Sequence, residues 1–132
     1  MSYGQAELYT LLTDSTITDL LTQGEDGIFY DTVVPDNVGG VTVGAEDSTI
    51  NYYRISPVDG GIKYLSVGYS INCRAQTMAE SEAIARAVYE VVNRHSNGSV
   101  YFWCQVLPVI PPISDIDNYN SPVEVLAKGR SI

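Results

Sequence analysis

The 132-residue chain carries 16 acidic against 7 basic residues, with a single histidine, two cysteines and 45% hydrophobic residues. An apolar share near the globular average on a chain of this length predicts one packed domain and excludes a disordered polymer. The longest mostly apolar stretch, Val100 to Pro112, holds three prolines and is about half the length of a membrane-spanning helix, which excludes insertion in a bilayer as a helix.

The first seven residues show no basic region, apolar run or small-residue cleavage site. The chain is therefore expected in the cytosol, with Cys73 and Cys104 reduced and acting as small buried hydrophobes. Charge is distributed unevenly: residues 1–59 hold ten acids and one base, Arg54, whereas residues 60–132 hold six of each. No basic footprint exists to release counterions from a nucleic acid, so non-specific DNA binding is not expected.

Leu8, Leu11 and Leu12 fall at helical spacing and predict a first helix over about Tyr3 to Thr13. Capping residues at Asp14 to Thr16, followed by Ile17, Leu20 and Leu21, predict a second short helical turn closed by Gly24. Gly27 to Pro35 is rich in β-branched and aromatic residues and reads as a strand ended by proline. Residues 36–48 hold three glycines and alternating valines between acidic ends, which reads as a long flexible loop or a protruding hairpin arm, the second preferred because Val38, Val41 and Val43 would be poorly used in a solvated loop. Thr49 to Pro57 is a further strand, and Val58-Asp59-Gly60-Gly61 is a tight-turn composition leading into the next.

From Leu65 to Ala75 every odd position is apolar or aromatic and every even one polar or glycine. This period of two predicts an antiparallel strand with one face on the core and the other wet or on a partner. Thr77-Met78-Ala79-Glu80 is a capping box, in which the Glu80 carboxylate is expected to return to the Thr77 amide. The helix it opens carries Ile84, Val88, Val91 and Val92 on one stripe and should end near His95. Ser99 to Ile110 is apolar on both faces, which argues for a central position or a covered outer face, and contains Trp103. Ser114 to Asn120 reads as a loop and Pro122 to Arg130 as the last strand. The sum is an α+β domain over residues 1–132, mainly an antiparallel sheet packed on one main helix, in the order α-(α)-β-β-β-α-β-β.

Signatures of catalysis are missing. His95 stands beside Arg94 at a helix end with no nucleophile paired to it in sequence, and helix-dipole complementarity accounts for it. Asp115-x-Asp117 opens like a calcium loop, but Tyr119, Asn120 and Leu126 occupy its fifth, sixth and twelfth positions. Neither Gly39-Gly40 nor Gly60-Gly61 is followed by the residues of a phosphate loop, and no GxSxG, HExxH, CxxC or zinc spacing occurs. No catalytic residue, metal or cofactor is expected, and the chain is not read as an enzyme.

The succession of elements resembles the tail terminator (tail completion, tail-to-head joining) proteins of long-tailed bacteriophages. The resemblance rests on the Leu8, Leu11, Leu12 helix, the Ile17 to Leu21 turn, the proline-ended strand Ile28 to Pro35 and a variable loop. It continues through a hairpin whose second strand ends in Cys73-Arg74-Ala75 just before the Ala/Glu-rich run Ala79 to Ala85, and two closing strands. It implies a structural protein of the virion tail or neck, assembled in the host cytoplasm, that forms a homo-oligomeric ring, typically a hexamer. Such a ring caps the finished tail tube and docks the head connector or stopper protein; the acidic excess of this chain would in turn let DNA pass a lumen without binding it.

On that reading Val38, Val41, Val43 and Trp103 are the expected subunit-interface residues, and Asp36, Glu46, Asp47 and Asp59 the expected channel-facing acids. Exposed strand edges would pair between subunits. Two alternatives are another viral neck or minor capsid ring component, and a monomeric α+β domain binding a peptide or small molecule in an apolar pocket near Tyr69 and Trp103.

Overall fold

In the computed structural model, which describes residues 4–55, 59–60, 64–97, 100–113 and 118–130, the period-two strand becomes the spine of the molecule. The elements in chain order are α1 (Gln5–Leu12), α2 (Ser15–Thr18), a 3-10 turn (Gly24–Gly27), β1 (Ile28–Tyr30), β2 (Asn37–Val38), β3 (Val41–Thr42), β4 (Thr49–Arg54), β5 (Asp59–Gly60), β6 (Tyr64–Ala75), α3 (Met78–Val92), β7 (Val100–Val106) and β8 (Tyr119–Arg130). The main sheet runs β1-β4-β6-β8-β7, β5 pairs with β6, and β2-β3 form a separate two-stranded sheet. The expected α+β class holds, with one difference at the sheet margin: β1 pairs with β4 in parallel, Ile28 opposite Ile50, while the other strand pairs are antiparallel.

Odd residues of β6 build the core as the sequence predicts. Val67, Tyr69, Ile71, Cys73 and Ala75 are all fully buried, and so are their neighbours Ile50, Val123 and Ala127. The helices cover this face, with α3 lying across β6, β8 and β7 and touched by α1 and α2. Ile84, Val88 and Val92 point inward with Ser81, Ala85 and Ala87, and Leu8, Leu12 and Ile17 close the side. Gly4 starts α1 in the left-handed region, φ 78°, and a Cβ there would stand 3.0 Å from the Ala127 Cβ; only glycine meets both conditions.

Several boundaries move for physical reasons. The capping box forms, but the Glu80 carboxylate accepts from the Thr77 hydroxyl at 2.9 Å, while the Glu80 amide donates to that hydroxyl at 3.2 Å. Helix α3 stops at Val92, because Asn93 is extended and Arg94 turns left-handed at φ 62°. Gly24, expected to close the second helical turn, instead opens the 3-10 turn at φ 58°. Asp59 and Gly60, expected in a turn, are paired with Ser66 and Leu65; residues 61–63, and Pro57 and Val58, lie outside the described residues, as do Ser99 and the Asp115-x-Asp117 segment.

Strand β7 is a correction to the expected central or covered position, because it lies at the sheet edge. Its backbone groups are satisfied by the chain leaving α3: the Arg94 amide donates to the Phe102 carbonyl, the Phe102 amide to His95, and the Cys104 amide to the Asn93 side chain. Strand β8 begins at Tyr119, earlier than the sequence suggests, and takes Pro122 into its middle. The proline is tolerated because its carbonyl, and hence its missing N–H, points toward the side where β7 has already ended and Leu107 donates to it at 2.9 Å.

Candidate functional site

Opposite the helices, the second face of the sheet is made by Thr49, Asn51 and Tyr53, the even residues of β6, Asn120 to Lys128 at even positions, and Tyr101, Trp103 and Gln105. The sequence predicts this side of β6 to be wet or partnered, and the structure divides it in two.

At one end the face is covered by the chain itself. Asn51, Asn72 and Asn120 are at least nine-tenths buried. The Asn120 amide donates to Asn72 at 2.8 Å, the Arg74 Nε donates to Asn51 at 2.8 Å, and the Asn51 amide donates to the Asp31 carbonyl at 3.1 Å. That last bond ties the start of the arm segment to the sheet, and the Ser48 amide, donating to the Thr22 hydroxyl at 2.8 Å, ties its end. Between the anchors lies the expected hairpin. Asn37 pairs with Thr42 and Val38 with Val41, around Gly39 and Gly40 at φ 57° and 87°, the paired left-handed residues of a type I′ turn. The Val43 amide donates to the Asp36 carbonyl and extends the ladder by one pair, so alternation puts Asp36, Val38, Val41 and Val43 on one hairpin face. The root of that face, Asp36 and Val43, roofs a cavity of about 370 Å³ over Thr49 and Arg74. The tip projects, with Val41 54% exposed and Val38 half-buried.

At the other end the face is open. A groove of about 490 Å³ has Gly68 as its floor and Ile55, Trp103 and Leu126 as its walls, with Gln105 and Glu124 toward one end. Register explains it: Leu126 stands between Gly68 and Trp103, so the absent side chain at Gly68 leaves a depression beside the indole. Trp103 and Ile55 are each 47% exposed, which leaves large apolar side chains on both sides of one groove open to solvent. Arg94 reaches over the edge of β7 and places its guanidinium 5.9 Å from the indole centre, and Tyr101 packs against Trp103 at 5.5 Å.

The four apolar residues expected at an interface therefore fall on two surfaces: Val38, Val41 and Val43 on the hairpin, Trp103 in the groove. Of the four acids, Asp36 shares the valine face, Glu46 is exposed, and Asp47 accepts the Gly44 amide at 2.8 Å in a local turn. Asp59 is paired through its backbone to Ser66, its side chain lying outside the described residues. The pocket expected near both Tyr69 and Trp103 does not form, because Tyr69 is fully buried under α3 and the sheet separates it from Trp103. Ile55, Gly68, Leu126 and Arg94 are groove residues that the sequence does not single out. Their link to Trp103 is a matter of strand register, which no local pattern encodes.

Chemistry elsewhere is muted. Burial pushes the Cys104 thiol up to about 12 and the Cys73 thiol higher still, so both stay protonated and are weak nucleophiles near neutral pH. Burial also raises the Tyr52 phenol. Among the described residues no group of three His, Cys, Asp or Glu is placed to hold a metal ion, and no helix is long and apolar enough to cross a membrane.

No protein-family model matches the sequence, and no curated protein matches it. Among solved structures, the fold is similar to a chain of the virion of a native gene transfer agent particle. The match covers 98% of this chain and 100% of that one, with a TM-score of 0.67 and 15% sequence identity.

Proposed function

We propose that this chain is a structural component of a phage-like particle, and that within it the chain forms a ring, of about six copies, that caps the tail tube and joins it to the head connector. The carrying observation is the end-to-end match of its fold to a chain of a gene transfer agent virion, with both chains covered almost completely. Such coverage supports a likeness over the whole chain and not over one motif of it.

Three features support a ring. The Trp103 groove and the Val41 tip expose apolar surface that a monomer gains nothing by exposing. Strand β1 stands at the edge of the main sheet, where a further strand could be added. The acidic first half would let DNA pass without the phosphate-binding term, with Glu46 and Asp59 facing the passage. The partners are further copies of the chain, a tail tube protein and a head connector or stopper protein. The location is the virion, and no catalytic role is assigned.

The test is the mass of the purified chain by light scattering over a concentration series, with negative-stain images of any large species. Closed rings with a central opening are the expected result. A monomer at every concentration, alone and mixed with tube protein, overturns the ring.

A further inference from the structure

We infer that the two apolar surfaces are the halves of one contact, in which the valine tip of the hairpin of one copy seats in the Trp103 groove of the next. This inference rests on the ring reading above. The hairpin and the groove lie at opposite ends of the same sheet face: the hairpin root closes over Arg74, and the groove floor is Gly68. Five residues of β6, Tyr69 to Cys73, lie between them, a span of about 20 Å at the ordinary strand rise. With both ends of the arm segment anchored, through Asn51 to Asp31 and Ser48 to Thr22, the hairpin does not reach its own groove. A contact between the two surfaces is therefore head-to-tail and leaves each copy with one free donor and one free acceptor surface, the arrangement that propagates until a ring closes.

Chemistry selects the same pairing. The tip offers Val38 and Val41, branched side chains of a size to fill the space above Gly68 between Ile55, Trp103 and Leu126. Its flank is acidic: Asp36 lies on the valine face, and no base precedes Arg54 in the chain. The groove is flanked by cations, Arg94 over the indole and Lys128 as the next outward residue of β8 after Leu126, and the acid among its lining residues, Glu124, stands at the far end. The hairpin's strands are two residues long in a sheet of their own. So small a hairpin is marginal in water and gains from a partner surface.

Trp103 is the only tryptophan, so its fluorescence reports on the groove alone. The experiment follows Trp103 emission and light-scattering mass together over a concentration series of the full chain. A blue shift that grows in step with mass is expected, and Val41→Asp should abolish both while leaving the far-UV circular dichroism unchanged. Asp36→Lys should weaken assembly by about tenfold or more, and Asp36→Lys combined with Arg94→Glu in one chain should restore most of it. Mass that rises without a change in emission, or a Val41→Asp chain that assembles like the parent, overturns the hairpin-in-groove contact and leaves the ring standing. A chain that is monomeric throughout, alone and mixed with tube protein, overturns both.

Discussion

Ser81 and Ser121 meet beneath the first turn of α3, fully buried, with their hydroxyl oxygens 2.9 Å apart. The direction of that bond follows from proton supply. Ser81 already donates to the Met78 carbonyl at 2.9 Å, so Ser121 must be the donor between them. Removing the acceptor leaves a buried O–H with nothing to bond, which costs more than removing both partners. Ser81→Ala should therefore lower unfolding stability by ~1–3 kcal/mol, and the double variant with Ser121→Ala should recover part of that loss. Urea denaturation of the four-member cycle measures the difference. The pair also shows a limit of the sequence. The i, i+4 stripe of α3 marks Ile84 and Val88 as core, but the partner of the Ser81 hydroxyl one turn before them is legible only once β8 is known to present a second serine to it.

Elements were legible in proportion to how locally they are determined. The β6 strand and α3 follow from periods of two and 3.6 within their own residues, and the hairpin follows from paired glycines between alternating valines. What escaped depends on neighbours distant in the chain. The polar face of β6 reads as wet or partnered, yet Asn72 is buried within the chain itself, between Asn51 and Pro122 and bonded to Asn120. Strand β7 reads as central, or covered on its outer face, because both its faces are apolar, yet it is an edge bonded by residues 93–97 with Trp103 left half exposed. The groove likewise needs the registers of β6, β7 and β8 at once. Local determination makes the hairpin separable. Gly39→Ala with Gly40→Ala would force two L-residues into the left-handed region at ~1–2 kcal/mol each, more than two-residue strands can absorb. The Val43 amide, which donates to Asp36, should then lose its hydrogen-exchange protection. The thermal midpoint should stay close to that of the parent, because the core on the other side of the sheet is untouched.

Across the whole molecule the fold sorts charge by region. Asp36, Glu46 and Asp47 lie on the arm segment between Asp31 and Ser48, and the cations Arg94 and Lys128 border the groove. A formal charge of −9 on one chain is multiplied when copies assemble, so a central opening would carry a strongly negative potential. DNA could pass through it without gaining the counterion-release term that holds it on basic surfaces. Under this arrangement the parent protein should leave DNA mobility unchanged in a gel even at low salt. Glu46→Lys with Asp59→Lys replaces two acids by two bases in every copy. If these positions border the opening, the assembled variant should retain DNA with an affinity that falls steeply as salt rises, by about 0.9 in log affinity per log salt for each phosphate neutralised. The same substitutions on a form that does not assemble should give far weaker retention, because only a closed ring gathers the new cations around one strand. Salt-independent retention, or equal retention by assembled and unassembled forms, is incompatible with these residues lining a passage. An unchanged lack of binding in the assembled variant would put Glu46 and Asp59 on the outer wall and leave the passage to other residues.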